Sequence, residues 1–172
     1  MLSLTNKTIK YITIASPKPK NNESLIKVCA TGICGSDIHA YHGLDKVKKS
    51  PPLILGHEVS GINESNNRPV VLNPIIGCKK CKNCRSKKEN LCVNLSMIGM
   101  SKPLKRQGGF AEFLSIPKSN IYNLQNKKHL LISAITEPTA VSLHAINLCL
   151  LHLKKKINQS NILIIGAGSI GL

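Results

Sequence analysis

Four cysteines with metal-ligand spacing lie near the middle of the sequence, at Cys78, Cys81, Cys84 and Cys92. The pattern is C-x2-C-x2-C-x7-C. Four thiolates at such spacing form a closed tetrahedral zinc site, which a short loop can wrap around without a core of its own. Two disulfides in a secreted chain are the alternative, but the first residues contain no apolar signal-like run. We therefore predict a structural zinc in this loop, here called the cysteine lobe (residues 78–92).

A second group of reactive residues is split between two motifs, GICGSDIHAYHG around Cys34 and LGHEVSG with His57 and Glu58. If the fold brings the two motifs together, a thiolate, an imidazole and a carboxylate make an open zinc site with one position left for substrate or water. The alternative is that each residue serves separately, Cys34 as a small buried hydrophobe, His57 in a turn and Glu58 at the surface. From residue types alone both interpretations stay open.

The sequence ends on NILIIGAGSIGL, an apolar run followed by Gly166, Gly168 and Gly171. The G-x-G-x-x-G spacing directly after a strand-like run is typical of the turn that binds the pyrophosphate of a dinucleotide. We predict a final strand over Ile162–Ile165 and a dinucleotide-binding turn after it, with the chain ending where a helix is expected to begin.

The elements that position the cysteine lobe and the Cys34 and His57 motifs are short apolar runs broken by Gly, Pro and Asn. Such runs predict a β-rich first domain. A helix-length apolar stretch without internal Gly follows over Ser133–Leu153, with Pro138 suited to its first turn. The predicted strands are Tyr11–Ile14, Leu25–Cys29, Leu53–Leu55, Val70–Leu72 and a strand-like segment over Gly108–Pro117.

The charge balance is strongly basic, with 24 Lys and Arg against 8 Asp and Glu and a formal net charge of +16. Basic residues are scattered through several loops, such as Lys46–Lys49 and Lys79–Lys88, and aromatic residues make up only 3% of the chain. This argues against a stacking surface for nucleic acid and favours solvated surface or attraction of an anionic substrate. No apolar run is long enough to span a bilayer, so we expect a soluble, cytoplasmic protein without a membrane partner.

Together these motifs resemble the zinc-dependent medium-chain alcohol and polyol dehydrogenases. GICGSDIHAYHG, LGHEVSG, the cysteine lobe, GGFAEFLSIP, EPTAVSLHA and NILIIGAGSIGL follow each other in that family's order. The resemblance implies an α+β chain: a GroES-like β-barrel catalytic domain with a structural-zinc lobe over residues 1–137. Residues 138–172 are then the linking helix, first strand and glycine turn of a truncated Rossmann α/β domain.

The resemblance also implies how the catalytic zinc is held, so that two Zn²⁺ ions are expected per chain. Cys34 and His57 are its ligands, and Glu58 lies beside it as an exchangeable ligand. The third protein ligand in the polyol branch is a Glu in an EP motif, here Glu137. Because liver-type alcohol dehydrogenases have Cys there, Glu137 favours sorbitol-like, threonine-like or sugar-phosphate substrates.

Further roles follow from the same resemblance. Ser36 contacts the substrate oxygen and passes on its proton, and His39 continues that relay. Asp37 orients the zinc-bound imidazole of His57. The glycine turn binds NAD or NADP. The implied activity is oxidation of an alcohol or polyol by hydride transfer to the nicotinamide, of the EC 1.1.1 class.

Two departures from the family pattern limit these expectations. The segment between Gly61 and Val70 is shorter than usual, and the acidic residue expected about twenty positions after the glycine turn lies beyond Leu172. We therefore expect that this chain alone does not turn over. Three interpretations stay open: an excised fragment, one half of a split protein whose separate partner chain supplies the rest of the Rossmann domain, or the product of a decaying gene. The full-length protein is expected to be a homo-oligomer. The alternative is a non-catalytic zinc module that binds nucleic acid or a protein partner.

Overall fold

The computed structural model describes residues 2–5, 8–44, 52–100, 104–153 and 155–172, so the basic run Lys46–Lys49 lies outside the described residues. Ten strands lie in this part of the chain: β1 Leu2–Thr5, β2 Thr8–Tyr11, β3 Glu23–Gly32, β4 Leu53–Ile54, β5 Glu58–Asn63, β6 Arg68–Leu72, β7 Ile75–Ile76, β8 Ser96–Met97, β9 Phe113–Pro117 and β10 Ile121–Asn123. The α-helices are α1 Gly35–Tyr41, α2 Lys82–Arg85, α3 Leu130–Ser133 and α4 Thr136–His152, and short 3₁₀ turns occupy Glu89–Leu91, Lys118–Asn120, Lys127–His129 and Ile157–Gln159.

A five-stranded antiparallel sheet in the order β10-β6-β5-β3-β9 is the centre of the fold. Smaller antiparallel sheets, β2-β1-β4 and β7-β8, accompany it. Branched aliphatic side chains from the large sheet, from β7 and from the segment after β8 form the main core. Burying each contributes roughly 1.5–3 kcal/mol. Its buried members are Ile26, Val59, Val70, Leu72, Ile76, Ile98, Leu114 and Ile116.

The pairing of β3 with β5 brings the two chemically interesting motifs together. Gly32, at the end of β3, lies opposite Glu58, at the start of β5. Because the strands are antiparallel, Cys34, two residues beyond β3, and His57, one residue before β5, must lie at the same end of the pair. A register shift between Val28 and Ala30 marks a bulge in β3 and sets this alignment.

Most of the predicted strands are confirmed. Leu25–Cys29 lies within β3 and Val70–Leu72 within β6, while β4 covers Leu53–Ile54 of the predicted Leu53–Leu55. The prediction for Tyr11–Ile14 is wrong, because β2 ends at Tyr11. Both Tyr11 and Ile14 are exposed, and beyond Tyr11 the chain no longer pairs with β1.

The predicted helix over Ser133–Leu153 forms as two pieces, α3 and the longer α4, separated by Ala134 and Ile135. Pro138 is the third residue of α4, in its first turn as predicted, where its missing N–H leaves no intrahelical bond unmade. No single helix of the described chain has the length and apolarity to cross a membrane. The two segments Lys127–Ser133 and Thr136–His152, with a 62° bend between them, are long and apolar enough for a membrane span only when they are taken together. This rests on length and composition alone.

The final strand predicted over Ile162–Ile165 is absent, and these residues have no regular secondary structure. Their apolar side chains are exposed, Leu163 at 84% and Ile165 at 92%. A strand exists only when a neighbouring strand accepts and donates its backbone hydrogen bonds, and none of the strands described here pairs with this run. The amino-acid pattern therefore favours a strand that this part of the chain does not hold in a sheet.

Candidate functional site

The structure brings the four cysteines of the cysteine lobe to one point, with their Sγ atoms within 4.8 Å of one another. The Sγ atoms of Cys78 and Cys84 are 4.0 Å apart, and those of Cys81 and Cys92 are 3.9 Å apart. Backbone N–H groups point at the sulfurs: Cys78 N donates to Cys92 Sγ at 3.2 Å and Cys81 N to Cys78 Sγ at 3.4 Å. The loop is thus folded around the space between four sulfurs.

The thiol pKa values of this cluster fit a bound cation. Hydrogen bonds from the backbone N–H groups of Cys84 and Val93 lower the pKa of Cys81 to about 6. Burial and the neighbouring thiols raise the pKa of Cys84 to about 12. Four thiols at this separation cannot all ionise alone, whereas a divalent cation among them stabilises all four thiolates. The donor set therefore fits a tetrahedral Zn²⁺.

A second donor set lies at the end of the β3–β5 pair. Three residues, Cys34, His57 and Glu58, each offer one possible ligand atom, and these three atoms lie within 4.8 Å of one another. His57 and Glu58 are buried, and Cys34 is half-buried. Thiolate, imidazole and carboxylate together suit Zn²⁺, and three protein ligands leave a fourth position open. The interpretation that these residues act separately does not fit this geometry.

Asp37, buried on α1, connects both halves of this site. Its carboxylate accepts hydrogen bonds from the backbone N–H groups of Cys34 at 3.1 Å and Gly56 at 3.4 Å. One oxygen lies 4.0 Å from Nδ1 of His57. A carboxylate on the Nδ1 side leaves Nε2 of the imidazole for a metal. Asp37 therefore lies where the sequence resemblance predicted it, beside the histidine ligand.

Two carboxylates at this site have raised pKa values. Burial and the negative charge of Asp37 raise the pKa of Glu58, although a hydrogen bond with Cys34 opposes the shift. Burial and the charge of Glu58 raise the pKa of Glu137. Glu137 is thus close enough for its charge to act on Glu58, but it is not part of the three-residue donor set. A cation beside Glu58 would relieve the repulsion between the carboxylates of Asp37, Glu58 and Glu137, so these residues fit a metal ion.

The GGF segment at residues 108–110 holds the turn that presents His57. Gly108 N donates to Ile54 O at 2.8 Å, Gly109 N to Gly56 O at 2.8 Å, and Phe110 N to Leu55 O at 2.9 Å. Gly56 has a φ of +90°, a conformation that only glycine adopts without strain. The sequence pattern indicated a strand over Gly108–Pro117, but only Phe113–Pro117 is one. Residues 108–110 instead stabilise the turn before His57 through the three backbone hydrogen bonds given above.

Ser60 is a site-supporting residue that sequence reasoning missed. It lies on β5, is fully buried, and its hydroxyl donates to the carbonyl oxygen of Leu130 at the start of α3. Since α3 leads into α4, which carries Glu137, this bond connects the strand of Glu58 to the helix of Glu137. The signal that could have indicated this contact is weak: a single hydroxyl between Val59 and Gly61 in a short strand.

The two residues of the predicted proton relay, Ser36 and His39, lie near the candidate metal site, but no substrate contact is defined for them. Ser36 is half-buried and His39 exposed, both on α1 directly after Cys34. Neither residue is in a metal-donor set of the described chain. Their roles as proton acceptors stay predictions.

The glycine segment forms a turn rather than a helix start. Gly166 has a φ of +107°, and Gly171 N donates to Gly168 O at 2.9 Å. The turn lines an open hollow of 420 Å³. The hydroxyl of Ser142 on α4 donates to the carbonyl of Ile170 at 3.2 Å, so helix and turn touch. Dinucleotide binding by this turn stays a prediction.

The alcohol dehydrogenase GroES-like domain family matches residues 20–126, more than half of the chain. The chain belongs to the zinc-type medium-chain dehydrogenases. Within this family it carries the N-terminal, GroES-like part, which is the α+β fold with the five-stranded antiparallel sheet described above. The match includes Cys34, His57, Glu58 and the whole cysteine lobe.

Similar proteins of this dehydrogenase family extend the match towards the C-terminus. L-galactonate-5-dehydrogenase of Escherichia coli K12 is 35% identical over 165 residues, covering 91% of this chain and 45% of that protein. The crystal structure of E. coli galactitol-1-phosphate dehydrogenase superposes with a TM-score of 0.82 at 29% identity, covering 99% of this chain and 50% of the other. A Sinorhizobium meliloti chain described as a zinc-binding dehydrogenase, bound to NADP, gives 0.76 at 32% identity, covering 86% and 44%. The chain thus spans about half the length of the relatives it matches.

Proposed function

We propose that this chain is the metal-binding catalytic half of a zinc-dependent, NAD(P)-linked dehydrogenase of a polyol, sugar phosphate or secondary alcohol. The observation that carries this proposal is the buried donor set of Cys34, His57 and Glu58, held together by Asp37 and distinct from the cysteine lobe. A closed four-thiolate site supports structure only. An open site with mixed donors is what alcohol chemistry needs.

When bound, zinc at this site supplies a Lewis acid that lowers the pKa of an alcohol. Cys34 and His57 would hold the ion, with Asp37 fixing the imidazole through its Nδ1 side. Glu137 is proposed as the third ligand, and Glu58 as a neighbour of the ion that can exchange with solvent as a ligand. Ser36 would take the alcohol proton and His39 would pass it to solvent, since His39 is the exposed member of the pair.

The proposed cofactor is NAD or NADP, bound in part by Gly166, Gly168 and Gly171. Backbone N–H groups of such a turn bind a pyrophosphate. The remainder of the Rossmann domain would come from a further region of the protein or from a separate chain. Exposed apolar side chains on α4, such as Val141, Leu143 and Leu151, offer a surface for it. A homo-oligomer is expected for the whole protein.

The relatives indicate the substrate class. Two of the relatives above are named for their substrates, L-galactonate and galactitol 1-phosphate. Both substrates are polyols with an anionic end. The net charge of +16 of this chain would attract such substrates. None of the seven cysteines forms a disulfide in the part of the chain described, and a reducing compartment, the cytoplasm, suits them.

Substrate binding at the open site can be tested without the cofactor. The protein is prepared with zinc in the cysteine lobe and cobalt in the open site, and galactitol 1-phosphate is then added. We expect the visible cobalt bands to shift as the substrate oxygen enters the open position. The Cys34→Ser variant is expected to lose the thiolate-to-cobalt band, while Cys29→Ser, at an exposed cysteine outside both donor sets, keeps it. A cobalt spectrum unchanged at saturating polyol would contradict the proposal.

A non-catalytic module that binds nucleic acid is the second candidate, favoured by the charge of the cysteine lobe. Lys80, Lys82 and Arg85 are among six basic residues between Cys78 and Cys92, and one acidic residue, Glu89, pairs with Lys79 at 2.6 Å. Such a module would bind RNA or DNA with an affinity that falls steeply with salt, because phosphate contacts release counterions. Binding of that kind with an empty open site would favour this candidate.

A further inference from the structure

Gly32, the last residue of β3, lies directly against the side chain of Glu58. A Cβ atom at position 32 would overlap Oε2 of Glu58 and lie 3.0 Å from its Cδ and 3.1 Å from its Cβ. All three of the nearest atoms belong to Glu58. The φ angle of Gly32 is not in the left-handed region, so the backbone there suits any residue. The missing side chain at position 32 is therefore a matter of space for one carboxylate.

Gly35, three residues further on, shows that this contact is specific. A Cβ atom at position 35 would meet nothing within 4 Å. Gly35 is the first residue of α1 and exposed, and it follows the ligand Cys34 directly. Two glycines in one motif thus differ in what they do: one makes room for Glu58, and the other does not.

The Glu58 carboxylate lies between two groups of atoms. The backbone of Gly32 is on one side, and the ligand atoms of Cys34 and His57 lie within 4.8 Å of it. The residue is only 7% exposed, and its strand β5 is fixed between β3 and β6. A carboxylate displaced from Gly32 therefore stays in a confined space that it shares with the ligand atoms of Cys34 and His57.

We propose that Gly32 is a positioning residue that provides the space in which the Glu58 carboxylate rests beside the metal and leaves the open position free. This rests on the open zinc site proposed above. A methyl group at position 32 pushes the carboxylate onto the metal as a fixed ligand, raises the coordination number and blocks the position that substrate needs. Reversible exchange of Glu58 depends on this gap.

The test uses the Gly32→Ala variant of the full chain with zinc in the lobe and one cobalt in the open site, confirmed by atomic emission. Four-coordinate Co²⁺ absorbs visible light more strongly than five-coordinate Co²⁺, so we expect weaker visible bands in Gly32→Ala. Gly35→Ala is the matched control and is expected to keep the wild-type spectrum. With Glu58→Ala already present, Gly32→Ala is expected to leave the cobalt bands unchanged, because the carboxylate is gone and the Cβ that remains at position 58, 3.1 Å away, has only to shift slightly.

Each possible result either supports or overturns the positioning role of Gly32. An unchanged spectrum in Gly32→Ala, or the same change with and without Glu58, overturns the positioning role while the open site stands. No cobalt beside the lobe zinc in the wild type overturns the open site, and the inference with it. If Gly32→Ala does not fold, Gly32→Ala/Glu58→Ala must recover folding, seen as a restored thermal transition. Failure of that recovery also overturns the role of Gly32.

Discussion

Asp37 is the residue on which the metal site depends most after its ligands. It binds the backbone on both sides of the site, at Cys34 and Gly56, and faces Nδ1 of His57 at 4.0 Å. Its carboxylate thus shapes the site and lies on the side of the imidazole from which it would orient the ring. A change that keeps its shape and removes its charge separates these roles.

We expect Asp37→Asn to weaken metal binding at the open site by about 10–100-fold, the usual effect of losing the carboxylate behind a histidine ligand. Competition with a coloured chelator measures this affinity. Glu64→Gln, at an exposed carboxylate in a turn, is the control and should leave it unchanged. Lobe zinc should stay bound in both variants, and an open-site affinity equal to wild type in Asp37→Asn would contradict the role.

Glu23 makes a pH-dependent contribution to stability. Burial raises the pKa of Glu23, but hydrogen bonds from Arg106 at 2.8 Å and Ser115 at 2.9 Å outweigh it, leaving the pKa below its ordinary value of 4.5. Because the folded-state pKa is the lower one, the stabilisation is complete above pH 4.5 and is lost as the pH falls through the folded pKa.

The Glu23→Gln variant should therefore lose roughly 1–3 kcal/mol of unfolding free energy at neutral pH. The difference from wild type should shrink as the pH drops below 4.5. Urea denaturation of the zinc-loaded protein at several pH values measures it, with the exposed Glu112→Gln as control. A difference that is constant with pH would show that the ion pair with Arg106 is not its source.

At the scale of elements, the contact of β5 with α3 determines where Glu137 lies. Ser60 on β5 donates to the carbonyl oxygen of Leu130, and α3 continues through Ala134 and Ile135 into α4. Glu137 is in the first turn of α4. This contact therefore helps to hold the segment that leads to Glu137 against the strand that carries Glu58.

Ser60→Ala removes a fully buried hydroxyl and leaves the carbonyl oxygen of Leu130 without this donor, which should cost about 0.5–1.5 kcal/mol of unfolding free energy. Ser160→Ala is the matched control, since its hydroxyl also donates to a backbone carbonyl, that of Lys156, but is exposed. Chemical denaturation compares the two. Equal losses in both variants would mean that burial of the Ser60 bond does not matter.

The sequence indicated which residues cluster as candidate metal ligands, because their residue types carry the chemistry. Cysteine spacing indicated the lobe, and the structure confirms the cluster. The side-by-side position of Gly32 and Glu58 could not be read in the same way, because it depends on strand register, which the bulge near Cys29 shifts. The run at Ile162–Ile165 has a strand pattern but no strand, since pairing partners, not residue types, decide that.

At the scale of the molecule, the chain has one well-packed unit and one exposed end. The core under the five-stranded sheet is closed, whereas α4 has no buried residue and the apolar run at residues 162–165 is exposed. The boundary predicted at residue 137 falls in the first turn of α4 and stays a prediction. Both metal sites belong to the packed unit, so their properties can be measured on this chain.

The central claim is that this chain holds two independent zinc sites, one closed and one open. Atomic emission on purified protein, rinsed with a weak chelator, counts the zinc. We expect two zinc ions per chain in the wild type and in Cys29→Ser, and one in Cys34→Ser. A single zinc in the wild type, or loss of both ions in Cys34→Ser, would contradict the account.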